Sequence, residues 1–387
     1  MSKINVRSFS NENDDGAPDI VGVSTFSSTA YFVPTKGNTQ QRPSDHVEVG
    51  SIRFNTDTSN LEFYRGHTLG WSQFELIDPE LGGGTGSNTG LGTRGLSGGS
   101  GDPSTGRQDI LFLTVSTLGD TQIFGDLTSA KYATAGLGSR TRGLFAGGYN
   151  PSQLNTIDFV TFASTGDATD FGDTIHVGRD RGALSTDVRG LIFGGIAVGP
   201  APTGTNEIVY VTMAQEGNAV DFGDVGYSAE GMEGMASSTR GLICGGSNPS
   251  GGKNNISFVT VSTTGNTTDF GDMQAARHTF ATGSNSTRGM IGGGRTPDTA
   301  SGINTIDFVT IATTGNAQNF GDLTQARSAC DGISDPTRFV IAGGYNPSNV
   351  NTIDFVTIST TGDATDFGDL TYLRNRAGSC SNGHGGL

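Results

Sequence analysis

From residue 93 onward, apolar and polar positions recur in a phrase of about fifty residues. Each phrase opens with Arg-Gly, or Arg-Phe in the sixth, then two or three mostly apolar residues and Gly-Gly, as in Arg189 to Gly195. An alternating run follows, such as Ile306, Phe308 and Thr310, in which Ile and Phe share one face and Val309 takes the other. Next comes a turn with Gly and Asn or Asp, for example Gly265-Asn266 or Gly362-Asp363, residue types that tolerate the backbone of a tight hairpin. The phrase closes with Phe-Gly-Asp and a run of small residues, such as Ala326-Arg327-Ser328-Ala329-Cys330. Four short strands per phrase are predicted, and no helical periodicity competes with them.

Two anchors fix the number of phrases. Phe-Gly-Asp begins at Phe124, Phe171, Phe222, Phe270, Phe320 and Phe367, at intervals of 47, 51, 48, 50 and 47 residues. The opening Arg stands at Arg94, Arg142, Arg189, Arg240, Arg288 and Arg338, at intervals that drift in step. Six units of four strands imply an all-β fold, a six-bladed β-propeller over 93–387. The Gly-Gly pairs Gly98-Gly99, Gly147-Gly148, Gly194-Gly195, Gly245-Gly246, Gly293-Gly294 and Gly343-Gly344 make these phrases resemble the kelch family, although Phe stands where kelch repeats place Tyr and Trp. In that family the Gly-Gly strand is second in its blade. The resemblance therefore implies that the spare small-residue run at the end, Leu373 to Ser381, completes the blade that opens at Thr93. The repeated Phe residues are expected to pack between blades. The Gly after each should let backbones approach closely, and the Asp should cap a turn, with a ring of functional Asp residues as the alternative.

The first 92 residues read differently. Residues 1–46 are polar and acidic, an extended or disordered arm. Residues 47–76 hold a small β module, with Ile52 and Phe54 alternating with polar neighbours, Leu61 and Phe63 alternating again, and Trp71 and Phe74 closing the segment. Residues 77–92 form a Gly-rich linker. From Gly50 to Tyr64, GSIRFNTDTSNLEFY resembles a short module of bacteriophage tail-fibre and other virion appendage proteins. The wordings N-T-I-D-F-V-T and D-F-G-D-L are similar to virion proteins of marine cyanobacterial phages. The resemblance implies a virion location and a docking role for Ile52, Phe54, Phe63, Tyr64 and Trp71.

Composition narrows the function. Gly numbers 62 of 387 residues, only 16% are charged, and the formal charge is −15. Such a surface disfavours nucleic acid, whose binding draws on Lys and Arg. No 18-residue apolar run or apolar leader occurs, so neither membrane insertion nor a secretory signal is expected. Cys244, Cys330 and Cys380 have no metal-ligand spacing and read as core residues, with Cys330 and Cys380 at matching places in their phrases. His46, His67, His176, His278 and His384 show no metal or catalytic spacing. Asp167, Asp170 and Asp173 do not make an EF-hand loop. P-loop, HExxH, sialidase Asp boxes and a Tyr-Cys-His copper set are all missing. No enzyme activity, metal or cofactor is expected.

Recognition is placed instead in the loops between Gly-Gly and the next strand, which contain 10, 8, 12, 9, 11 and 8 residues and should share one face. The candidates are Tyr149, Asn150, Ile196, Val198, Asn248, Arg295, Tyr345 and Asn346, with Ile196, Val198 and Pro200 expected to be exposed; the alternative is that the length differences carry no function. The expected protein is a phage structural protein. Its N-terminal region contacts other virion proteins, and its propeller presents a face to a host surface glycan or protein or to another virion subunit. A homotrimer is compatible with that plan. The alternatives are a glycan-active enzyme on the same scaffold and an inert decoration protein.

Overall fold

A computed structural model describes residues 34–43, 47–57, 60–73, 93–102, 105–197, 204–297 and 302–387. Expectations for the 77–92 linker, for most of the N-terminal arm and for Val198 and Pro200 lie outside these residues. The chain divides into two compact units, Met1–Asp78 and Pro79–Leu387. The described residues are all-β, with one 3-10 turn at Thr39–Gln41 and no α-helix.

In the first unit, strands Lys36–Gly37, Ile52–Asn55, Asn60–Tyr64 and Trp71–Gln73 form one sheet in chain order. Residues 36–41, assigned from sequence to an extended arm, contribute a strand and a turn to this unit. Ile52 lies opposite Phe63 and Phe54 opposite Leu61, so the apolar residues share one face. The covered face is the polar one, which carries Arg53, Asn55, Glu62 and Tyr64. Glu62 accepts hydrogen bonds from Arg42 and, at 2.7 Å, from Asn55 Nδ2. The Arg42 guanidinium holds the Glu62 carboxyl below its usual range. Ile52 is 52% exposed and Leu61 42%.

Among the described residues the second unit contains six antiparallel sheets, each of four core strands, numbered here I to VI, and one two-stranded sheet of Ser247–Asn248 and Gly251–Gly252. Sheet II is typical. Its inner strand Ala135–Gly138 pairs with the Arg-Gly strand Arg142–Ala146, then Leu154–Thr161, then the Phe-Gly-Asp strand Thr169–Arg179. Sheets III to VI repeat this order, with inner strands Gly182–Ser185, Glu233–Ala236, Ala281–Ser284 and Asp331–Ser334. Sheet I takes its inner strand, Gly378–Ser381, from the far end of the chain; Ser379 faces Ser97 and Cys380 faces Leu96 across the pairing with Arg94–Gly98. Each inner strand adjoins the next, and Gly378–Ser381 adjoins Ala135–Gly138.

The boundaries of the fourth strands differ from expectation. Ala326 and Arg327 end the long strand Gln318–Arg327, Ser328 to Cys330 turn the chain, and the inner strand starts at Asp331. Likewise Leu373 and Arg374 end the strand Thr365–Arg374, and the run that crosses to sheet I is Gly378–Ser381. The cysteine equivalence fails for the same reason. Aligned inner strands match Cys380 to Ile333, whereas Cys330 precedes its strand and matches Ala377. All three cysteines are free and buried.

Each sheet shares an apolar layer with its successor. Phe171 of sheet II packs in a cluster with Ile192, Val209 and Met213 of sheet III, and Phe367 of sheet VI packs with Leu111, Leu113 and Val115 of sheet I. Burying each repeated Phe contributes roughly 1.5–3 kcal/mol. Each also meets the aromatic of the preceding strand edge-on, as Phe159 meets Phe171 with ring centres 5.8 Å apart. The repeated Arg lies over that same aromatic, from 4.5 Å for Arg240 over Phe258 to 5.3 Å for Arg94 over Phe112. Five of the six arginines then donate to a carbonyl of the next sheet, as Arg338 does to Val115 at 2.9 Å. Arg142 departs from the pattern and pairs with Glu216 at 3.6 Å.

The Phe-Gly-Asp phrase also clasps the next sheet through its backbone. Between sheets I and II, the Gly166 N–H donates to Phe124 O (2.8 Å), the Ala168 N–H to Asp126 O (2.7 Å), and the Asp126 N–H to Asp167 Oδ1 (3.0 Å). Between VI and I the same bonds join Gly119 to Phe367, Thr121 to Asp369 and Asp369 to Asp120. The middle Gly makes this approach possible, since a Cβ on Gly172 would lie 2.5 Å from Gly217 O. The expected cap by the Asp side chain is thus replaced by its backbone N–H, capped by the neighbouring turn.

Ion pairs with a buried cation reinforce four junctions. Lys131–Asp158 (3.1 Å), Arg277–Asp307, Arg327–Asp354 (3.1 Å) and Arg374–Asp109 each join consecutive sheets, the last one VI to I, while Arg181, in the link before Gly182–Ser185, pairs with Glu207 of sheet III at 3.4 Å. At the III–IV junction Ala229 and Ser257 occupy the corresponding positions, so cation and anion are absent together.

Candidate functional site

The links entering the inner strands meet at one end of the second unit. Ala133, Asp180, Gly231, Thr279, Ala329 and Arg376 occupy equivalent positions there, all with φ between 50° and 61°. Each donates its N–H to the carbonyl of the preceding one: Asp180 to Ala133, Gly231 to Asp180, Thr279 to Gly231, Ala329 to Thr279, Arg376 to Ala329, and Ala133 back to Arg376, at 2.7–3.1 Å. A cycle of six hydrogen bonds therefore crosses this end. At the opposite end the segment after Ser381 folds across the inner strands, where His384 Nε2 meets Gly138 O at 2.9 Å and Gly385 N–H donates to Ser284 O. Between the two ends lies a channel of about 90 Å³, lined by Ser185, Glu233, Ser284, Asp331, Ser334 and Ser381 among others. Burial pushes the Glu233 carboxyl well up and the Asp331 carboxyl up to about 6, while it pushes the His384 imidazole down. Asp331 accepts a 2.5 Å hydrogen bond from Ser97 Oγ.

The predicted loop residues gather beside the hydrogen-bonded cycle. The residue after Gly-Gly bridges back to the residue preceding a cycle member: Tyr149 to Tyr132, Ser247 to Glu230, Arg295 to His278 and Tyr345 to Ser328. Four of the six loops thus start beside the cycle. Ile196 is a correction. It is 7% exposed and pairs with Arg179 in a short strand on the edge of sheet II, because the third loop, which joins two strands of sheet III, lies against the preceding sheet. Tyr149 lies tilted against Tyr132 with ring centres 5.5 Å apart and under Arg179, and Asn150 Nδ2 donates to Ala130 O. Asn248 ties to Ser228 O in the same way, and Asn346 N–H closes a turn on Ser348 O. These asparagines shape their loops.

A cavity of about 420 Å³ opens on this face, lined by Tyr132, His278, Arg295, Tyr345, Asn349 and Arg376 with Gly101, Thr279, Ser328, Ala329 and Asn375. Tyr345 is 41% exposed. Asn375 Nδ2 donates to Asn349 Oδ1 at 2.7 Å, and Asn349 Nδ2 donates to Gly101 O at 3.2 Å. Arg376 pairs with Asp180 at 3.6 Å. Burial, then Arg295 and Arg376, lower the His278 pKa, which favours the neutral imidazole. Sequence reasoning found Arg295 and Tyr345 but missed Tyr132, His278, Asn349, Asn375 and Arg376. The available signal was variation: positions just before the cycle read Tyr132, Arg179, Glu230, His278, Ser328 and Asn375, six residue types amid repeated phrases.

Of the docking candidates, Ile52, Phe54 and Phe63 share the face opposite the covered one, with Ile52 exposed and Phe54 and Phe63 half-buried, whereas Tyr64 is 4% exposed and lies tilted against Trp71 with ring centres 5.3 Å apart. Trp71 Nε1 donates to Pro43 O. Tyr64 and Trp71 are thus part of the fabric of that unit. No helix of the described residues is long and apolar enough to cross a membrane, and among those residues no group of three or more His, Cys, Asp or Glu is placed to hold a metal ion. No protein-family model matches the chain, and no curated protein matches it either.

Proposed function

We propose that the second unit is a six-bladed, kelch-like β-propeller and that the chain is a bacteriophage structural protein, docked on the particle through its first unit and binding through the propeller face that carries the variable loops. The propeller reading is supported by the junctions, each sheet joining its successor through the same apolar layer and backbone clasp, and VI joining I. The docking role is supported by the apolar face of the first unit, on which Ile52 and Leu61 are exposed. One observation carries the binding role: where the scaffold positions repeat, the residues preceding the cycle do not, and four of them, Tyr132, His278, Ser328 and Asn375, line the 420 Å³ cavity. Such variation on a fixed frame is how recognition surfaces are made.

The test uses the purified full chain on cells of the infected bacterium, with antibody labelling of intact particles. Label on the particle surface and saturable cell binding support the proposal. Shortening of host polysaccharide by the purified chain favours a glycan-active enzyme, and label on the particle without cell binding favours an inert decoration protein.

A further inference from the structure

We propose that residues 382–387 are an acid-opened plug on the far end of the channel, latched shut by neutral His384 and released when its Nδ1 takes up a proton. The latch follows from hydrogen-bond chemistry. The Gly386 N–H donates to His384 Nδ1 at 3.1 Å, so that nitrogen presents a lone pair. The proton of the neutral ring then sits on Nε2, 2.9 Å from Gly138 O, which can only accept, and 3.3 Å from Ser185 Oγ. Both ring nitrogens are committed, in opposite roles. An imidazolium carries a hydrogen on each, and the one on Nδ1 would point at the Gly386 N–H. The closed plug therefore accepts one tautomer of one protonation state.

The plug has a fitted seat. The Asn382 N–H donates to Arg94 O (3.2 Å) and the Gly385 N–H to Ser284 O (2.9 Å), so the segment reaches from sheet I to sheet V. A Cβ on Gly385 would lie 2.1 Å from Asn285 O, and one on Gly386 2.0 Å from Ser185 O, so backbone rests on backbone at the mouth. Gly378–Ser381 is held to Arg94–Gly98 by its own ladder, which leaves the plug free to lift by itself. Of the described charged groups, Asp187 favours the imidazolium and Arg140 opposes it, and these two pair with each other across their turns. Inside the channel burial holds Glu233 and Asp331 toward their neutral forms, and Arg181 is taken by Glu207. Burial dominates at His384 and lowers its pKa, so the closed plug binds fewer protons than the open one. Its hold is complete above the ordinary imidazole value of 6.5 and is lost as pH falls below it.

The test combines nitrogen NMR of the histidine-labelled full chain with amide hydrogen exchange, each at about pH 7.5 and about pH 4.5. Exchange is expressed as protection relative to an unstructured peptide, which removes the intrinsic effect of pH. At the higher pH, His384 should show a bare Nδ1 and a protonated Nε2, and the Gly385 and Gly386 amides should be protected. At the lower pH that protection should fall at least 10-fold, while the amides of Arg94–Gly98 and Gly378–Ser381 keep theirs. In His384→Gln the side-chain amide offers a donor and an acceptor without titrating, so plug protection should stay level across the range. Should that variant fail to fold, the tautomer and the wild-type exchange still decide. A proton on Nδ1 at the higher pH, wild-type protection unchanged at the lower pH, or an equal loss in folded His384→Gln overturns the proposal. So does loss of protection in Arg94–Gly98 together with the plug, which would mean that acid opens the sheet and not the latch.

Discussion

Gly125→Ala tests the clasp between consecutive sheets. A Cβ at Gly125 would fall under 3.0 Å from the Gly166 carbonyl, a backbone atom that no side-chain rotation can move away. Sheets I and II must then separate. A gap of about 0.5–1 Å forfeits a quarter to a half of the dispersion attraction across it. It loosens the layer holding Phe124, Phe145 and Phe162, and stretches the bonds from Gly166 to Phe124, Ala168 to Asp126 and Asp126 to Asp167. Each such bond contributes about 0.5–1.5 kcal/mol and overpacking costs about 1–3 kcal/mol, so the expected loss is roughly 2–4 kcal/mol. Urea unfolding followed by circular dichroism measures it. Gly226→Ala is the control, an exposed glycine with nothing near its added Cβ and no left-handed backbone, expected within about 0.5 kcal/mol of wild type. Equal midpoints for the two variants would refute the clasp.

Three further outcomes follow from the junctions and the channel. Arg277→Ala and Asp307→Ser should each cost about 3–5 kcal/mol, because each strands the partner's buried charge. The double variant, which copies the Ala229 and Ser257 pair of the III–IV junction, should cost less than the sum of the two, read by a double-mutant cycle in urea. Arg240→Met should cost about 1–2 kcal/mol by removing the stack on Phe258 and the bonds to Ile311 and Ala312, again by urea midpoint. For Asp331, burial raises the folded pKa to about 6 from the ordinary 3.8, so the folded state holds more protons than the unfolded one between those values. Its contribution is therefore full below pH 4 and lost as pH rises through 6; Asp331→Asn should remove a slope of up to about 3 kcal/mol in stability measured from pH 4 to 7.5.

The repeat was legible because its anchors have one physical job at every junction. Phe-Gly-Asp needs a ring for the layer, no Cβ at the close approach and an N–H for the next turn, so all six copies read alike. The inner strands were harder to place. Gly182–Ser185 and Asp331–Ser334 are short and almost wholly buried, with one large apolar residue each, so no apolar and polar alternation marks their ends. In the first unit the alternation at Ile52 and Phe54 gave the two faces but not which one is covered. That depends on Arg42 meeting Glu62, a contact across 20 residues. The cavity was legible only in part, since Tyr132, His278, Asn349 and Arg376 converge from separate links and show no spacing of their own. The segment around His384, closing the far end of the channel, carries no pattern that announces it.

The return of the last strand to the first sheet is tested most directly by a cross-link. Ser97 and Ser379 are register partners in adjacent strands. With both changed to cysteine, mild oxidation of the folded monomer should join the two introduced thiols, found as one linked peptide pair, and raise the urea midpoint by restraining nearly the whole unit. Both thiols remaining open to alkylation in the folded protein, or linking only between molecules, would contradict the closure on which the six junctions depend.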